Sequence, residues 1–125
     1  MIRENRVSLW LGFFQSKQEF MSYIEVAYDE DGNFIPSKFQ NDYAIDEYDL
    51  DAIESDWISE KCSDVKSLLA GFSEDKIIIP QFNKLLKNEK IENYNSIVLL
   101  YNYDYEIIFC NNKKLKYIGC VNVFY

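Results

Sequence analysis

The sequence predicts an α+β fold, a mostly antiparallel sheet of four to five strands with helices packed on it, and three observations carry that expectation. Stretches dense in β-branched and aromatic residues at 6–14 and 96–101 read as strands. Between them, serine-led capping signals open short amphipathic stripes of helical period. The last third is strand-like again, and no repeat, linker or low-complexity tract divides the chain, so residues 1–125 read as a single domain. A hydrophobic content of 48% suffices for one core at this length.

Taken in order, residues 6–14 (RVSLWLGFF) place Val7, Leu9, Leu11 and Phe13 on one face of a strand and Ser8, Trp10, Gly12 and Phe14 on the other. Ser16 followed by Glu19 is a capping box, and Phe20, Tyr23, Ile24 and Ala27 then share one helical face, which predicts a helix over 17–28. Asp29-Glu30-Asp31-Gly32-Asn33 closes it as a turn. Ser37 can cap a short helix that pairs Phe39 with Tyr43. Residues 44–57 are rich in Asp and Glu, which favour turns, so an irregular segment with a short strand or helical turn is expected there. Ser63-Asp64 starts a short helix carrying Val65, Leu68 and Leu69, ended by Gly71. Pro80 suits the first turn of a further helix whose buried stripe is Phe82, Leu85 and Leu86, running to about residue 90. Residues 96–101 are apolar without alternation, as in a central strand covered on both faces, and Asn102-Tyr103-Asp104 turns the chain into 106–110 as a hairpin. Asn111-Asn112 offers the next turn, and a final strand alternates Leu115, Tyr117, Val121 and Val123 with Lys116, Ile118, Cys120 and Asn122, Gly119 marking a bulge or a close contact.

Composition narrows the function. Thirteen Lys+Arg against twenty-one Asp+Glu give a net charge of -8 and disfavour sequence-independent binding to nucleic acid or to an anionic membrane; a basic partner fits better. No apolar run approaches the ~20 residues of a membrane span. The first residues lead straight into a strand, unlike a secretory signal, so the protein is expected in the cytoplasm. Cys62, Cys110 and Cys120 share no metal-ligand spacing and read as reduced thiols. The chain has no histidine, which removes the commonest general base, metal ligand and nucleophile activator, and no cofactor is called for.

The strongest local signal is the acidic run Asp42, Asp46, Glu47, Asp49, Asp51, Glu54, Asp56 and Glu60, with no basic residue among them. Four readings compete. Asp49, Asp51 and Glu54 could converge on a hard cation, although Ile53 and Glu54 stand where the calcium loop needs its glycine. Paired carboxylates could act as the acid and base of a small hydrolase. Otherwise the run is a solvated face or, because Tyr43, Tyr48 and Trp57 are interleaved with the acids, an interface for a basic partner. Asp29-x-Asp31-x-Asn33 also imitates the start of a calcium loop, but Phe34 replaces its glycine and Gln40 its closing glutamate, so a solvated turn is expected. Trp10 beside Gly12 is expected in the core with its indole N–H paired. Tyr101, Tyr103 and Tyr105 lack the basic groove of a single-strand nucleic-acid binder and read as core tyrosines flanking a turn.

With those residues in view, the sequence resembles the immunity protein 22 family of bacterial polymorphic toxin systems. The resemblance rests on Val7-Ser8-Leu9-Trp10-Leu11-Gly12, on Phe39-Gln40-Asn41-Asp42-Tyr43-Ala44-Ile45-Asp46 running into Tyr48-Asp49-Leu50-Asp51-Ala52-Ile53-Glu54, on Ile97-Val98-Leu99-Leu100-Tyr101 and on Tyr117-Ile118-Gly119. It implies a non-catalytic protein that binds and neutralises a cognate toxin domain. On this reading Asp46, Glu47, Tyr48, Asp49, Asp51, Glu54 and Trp57 meet the toxin, a basic domain such as a nuclease. The protein is expected to be a monomer or, through an exposed terminal strand, a weak homodimer.

Overall fold

The computed structural model describes residues 2–45, 48–62, 64–86, 94–105 and 114–123. Their architecture is α+β, as expected. The early apolar segment becomes strand β1 (Ile2–Gly12), and it lies inside a four-stranded sheet of order β4-β5-β1-β6. The sheet's other strands are β4 (Ile53–Cys62), β5 (Tyr94–Tyr103) and β6 (Leu115–Asn122); β1 pairs with β5 and β6, β4 pairs with β5, and every neighbouring pair is antiparallel. Helices α1 (Lys17–Ile24) and α2 (Lys38–Asp42) supply the core on one face of the sheet; α3 (Val65–Leu69) and α4 (Asp75–Leu85) supply it on the other.

Strand period explains this two-sided core. Val7, Leu9, Leu11, Ile97 and Leu99 share one cluster with Leu68, Leu69, Ile78 and Phe82. The intervening Trp10, Val98 and Leu100 meet Phe20, Tyr23, Phe39 and Tyr43 in a second cluster. A strand buried on both faces cannot alternate apolar with polar residues, hence the unbroken run at 97–101. The outermost described strands are β4 and β6.

Helix starts were legible. The Ser16 hydroxyl accepts the Glu19 amide at 3.1 Å, and Ser37 with Gln40 forms a complete capping box. The Asp64 carboxylate caps α3, while Ser63 lies outside the described residues.

Four expectations are corrected. The first helix stops at Ile24 rather than 28, and its expected stripe member Ala27 is exposed. Val26 and Tyr28 favour extended backbone, and Ala27–Tyr28 (β2) pairs with Phe34–Ile35 (β3) as a separate hairpin. The segment read as irregular contains β4, a ten-residue strand whose Ile53–Trp57 portion is set in register by pairing with β5, from Ile53 opposite Leu100 to Trp57 opposite Ser96. Pro80 is well inside α4, not in its first turn, and the buried stripe is Ile78, Phe82 and Leu86 at i, i+4 spacing, with Leu85 48% exposed. The carbonyl that Pro80 leaves unpaired belongs to exposed Lys76, where solvent can reach it. Finally, β1 spans 2–12 rather than 6–14, and Phe13, expected on the Val7 face, is exposed.

Both edges of β5 are taken by β1 and β4. The second arm expected of its hairpin, 106–110, lies outside the described residues, as do the Asn111-Asn112 turn and the expected end of α4 near 90. Gly119 sits at a bulge: Leu9 opposes Gly119 while Trp10 opposes Tyr117, so Ile118 is the extra residue. A Cβ there would also lie 2.9 Å from Leu85 Cδ1. Gly12 lets β1 and β6 approach, since a Cβ would sit 2.6 Å from Leu115 Cδ2 and 2.9 Å from the Lys114 carbonyl.

Candidate partner-binding surface

The acidic segment folds as a turn followed by the edge strand. Asp49 Oδ1 accepts the Asp51 amide at 2.9 Å and its carbonyl accepts the Ala52 amide at 2.9 Å, so a self-capped turn presents Asp49, Leu50 and Asp51 to solvent. Leu50 is 43% exposed. The aromatic residues beside them serve as supports. Tyr48 is half-buried against the α1/α2 core, and that burial raises its phenol pKa. Trp57 is half-buried in the same cluster and donates its indole N–H to the Phe14 carbonyl at 3.0 Å. The Phe14 carbonyl also accepts Asn95 Nδ2 at 2.8 Å, which ties the end of β1 to the start of β5.

Glu54 has a different role. Strand alternation turns it away from Trp57 toward α3 and α4, where its carboxylate accepts the Ser73 amide at 2.8 Å and the Ser73 hydroxyl. The Tyr101 hydroxyl lies 3.2 Å from the same carboxylate and 2.6 Å from the Ser73 carbonyl. Burial, then the Glu54 charge, push the Tyr101 phenol well above its ordinary range. Glu54 therefore fixes the α3–α4 loop, and it does not converge with Asp49 and Asp51. Among the described residues no three acidic or cysteine side chains are grouped to hold a metal ion. Asp46 and Glu47 lie outside the described residues.

Other candidates resolve into core. Trp10 is fully buried, caged by Phe39, Tyr43, Tyr105 and Tyr117 with ring centroids 5.0 to 5.9 Å away. The expected partner of its indole N–H is not found among the described residues. Tyr103 and Tyr105 are buried, so their faces are not available to stack on bases. Both arginines of the chain, Arg3 and Arg6, contact the Asp104 carboxylate at 3.2 and 3.5 Å. A cleft of about 550 Å³ between α1 and α2 has Phe14 and Tyr23 as apolar wall and Glu19, Asp42, Lys38 and Lys114 as a rim of mixed charge. Within it Tyr23 donates to Asp42 at 2.5 Å.

Sequence reasoning singled out the acidic residues Asp49 and Asp51 but missed a second exposed feature, the β2–β3 hairpin. The turn at Asp29-Glu30-Asp31-Gly32-Asn33 was expected, but the flanking pairs Ala27-Tyr28 and Phe34-Ile35 are too short for a periodicity test. The calcium-loop imitation is a turn: Asp29 Oδ1 accepts the amides of Asp31 at 2.9 Å and Asn33 at 2.8 Å, which lowers the carboxyl pKa from its ordinary value.

These features define a small antiparallel α+β protein whose exposed turns are acidic and whose aromatic residues mostly build its core. Within that class the chain belongs to the Immunity protein 22 family, whose model matches residues 7–123. No curated protein and no solved structure matches the chain.

Proposed function

We propose that this protein neutralises a cognate bacterial toxin by binding it, without catalysis, in the cytoplasm of the cell that makes the toxin or of its kin. Membership of an immunity family over residues 7–123 carries this reading. The exposed carboxylates of Asp49 and Asp51, flanking exposed Leu50 on a turn anchored by Tyr48 and Trp57, suit the basic cleft of a toxin domain such as a nuclease. Asp46 and Glu47 extend the same acidic segment, and Glu54 acts by holding the loop behind it. Charge complementarity of this kind raises the association rate, and burial of an apolar contact slows release.

Co-expression tests the role. A host making the C-terminal domain of the toxin encoded beside this gene should grow when this protein is present and die when it is absent. Death in both cases, with the protein folded and abundant, contradicts the reading.

A further inference from the structure

Every residue from 27 to 36 is exposed, yet the β2–β3 hairpin is tightly tied. A two-stranded hairpin is marginal in water. This one is held by the Asp29 amide on the Asn33 carbonyl at 2.9 Å, the Gly32 amide on the Asp29 carbonyl at 3.0 Å, and the Asp29 carboxylate on both the amide and side chain of Asn33. Gly32 has φ 81°, the left-handed conformation that such a turn requires and glycine adopts without strain. On the ladder Tyr28 stands opposite Phe34 with ring centroids 5.8 Å apart.

The result of this order is apolar side chains displayed to water on both faces of the ribbon: Tyr28, 60% exposed, and Phe34, 43%, on one face, and Ile35, 46%, on the other. Aromatic side chains on an exposed, hydrogen-bonded hairpin are anchors that lose less conformational entropy on binding than those of an unstructured loop. The tip beyond them carries Glu30 and Asp31. A second copy of the chain fits this surface badly, because it would bring like-charged tips and two chains of net charge -8 together. A basic partner fits it well.

We infer that the β2–β3 hairpin is a docking element for the toxin, inserting its Tyr28–Phe34 face and, on the opposite face, Ile35 into an apolar socket that encloses the ribbon and whose basic rim pairs with Glu30 and Asp31. This inference rests on the neutralisation reading and adds a contact separate in sequence from the Asp49–Asp51 turn.

The test uses the full chain and the C-terminal domain of the toxin encoded by the adjacent gene. Binding kinetics are compared for wild type, Tyr28→Ala, Phe34→Ala, Ile35→Ser and the double variant Glu30→Lys/Asp31→Lys. Each apolar truncation should weaken affinity ~10- to 100-fold, chiefly through faster dissociation. The charge reversal should slow association ~10-fold and flatten its salt dependence. Melting temperatures should stay near that of wild type, since these side chains are exposed. Should the Gly32 and Asn33 amide resonances show that an aromatic truncation unravels the turn, Ile35→Ser, which leaves the ring pair intact, decides. Wild-type binding with all variants within twofold of it overturns the docking inference and leaves the neutralisation reading standing. Failure of the wild type to bind overturns both. Self-association of the wild type that Tyr28→Ala abolishes, with toxin affinity unchanged, assigns the surface to a second copy and overturns the inference.

Discussion

Replacing Glu54 by alanine separates a fold role from a binding role within the acidic segment. The substitution removes the acceptor of the Ser73 amide at 2.8 Å and of the Ser73 hydroxyl, and strips Tyr101 of its 3.2 Å contact. Tyr101 keeps the Ser73 carbonyl at 2.6 Å, so two hydrogen bonds to a carboxylate are lost. Such bonds contribute about 1.5–3 kcal/mol each when buried; with Ser73 exposed and Glu54 half-buried, about 1 kcal/mol each is the fitting figure, ~2 kcal/mol together. An unfolding entropy of about 2.1 cal/mol/K per residue over 125 residues turns this into a Tm lower by ~8 °C. Asp51→Lys, by contrast, alters an exposed side chain and should change stability by less than ~0.5 kcal/mol. Thermal melts followed by circular dichroism, with urea titration for the free energies, make the comparison. A Glu54→Ala protein melting within a degree of wild type would refute the assignment of Glu54 to the α3–α4 loop and return it to the partner surface.

Other consequences follow from the packing and the titrations. Gly12→Ala should cost ~1–3 kcal/mol by urea denaturation, because the new Cβ meets the Lys114 carbonyl at 2.9 Å, where backbone has to shift. The bonds from Asn33 and Asp31 lower the Asp29 pKa, so the hairpin turn keeps its full support above the ordinary value of 3.8 and loses it as pH falls through the lower folded value; the Asn33 amide resonance should titrate with a midpoint below 3.8. Burial raises the Cys120 thiol, so at pH 8 peptide mapping should find it alkylated more slowly than a free cysteine.

What the sequence disclosed divides along physical lines. Signals confined to a few neighbours were legible: Ser16 and Ser37 capped helices at the positions expected, and Gly119 marked a bulge. The unbroken 97–101 run announced a strand covered on both faces because nothing else accommodates it. Elements set by distant pairing were not legible. Strand β4 is held by β5 some forty residues away, and its acids Glu54, Asp56 and Glu60, which looked like a turn-rich tract, fit an edge strand. Likewise Tyr28 left its expected helix because Phe34 lies across the ladder from it. In the candidate surface, sequence pattern picked out Asp49 and Asp51, which the fold sets on one exposed turn. It could not show that Glu54, two positions before Asp56 on the strand, turns back to bind Ser73.

The most direct test of the central claim is calorimetric titration of the protein with the C-terminal domain of the toxin encoded beside it, at two salt concentrations, for wild type and Asp49→Lys/Asp51→Lys. The account predicts a 1:1 complex of nanomolar Kd, on the order of -12 kcal/mol, that weakens at high salt and in the double variant. No heat of binding from folded wild-type protein would contradict it.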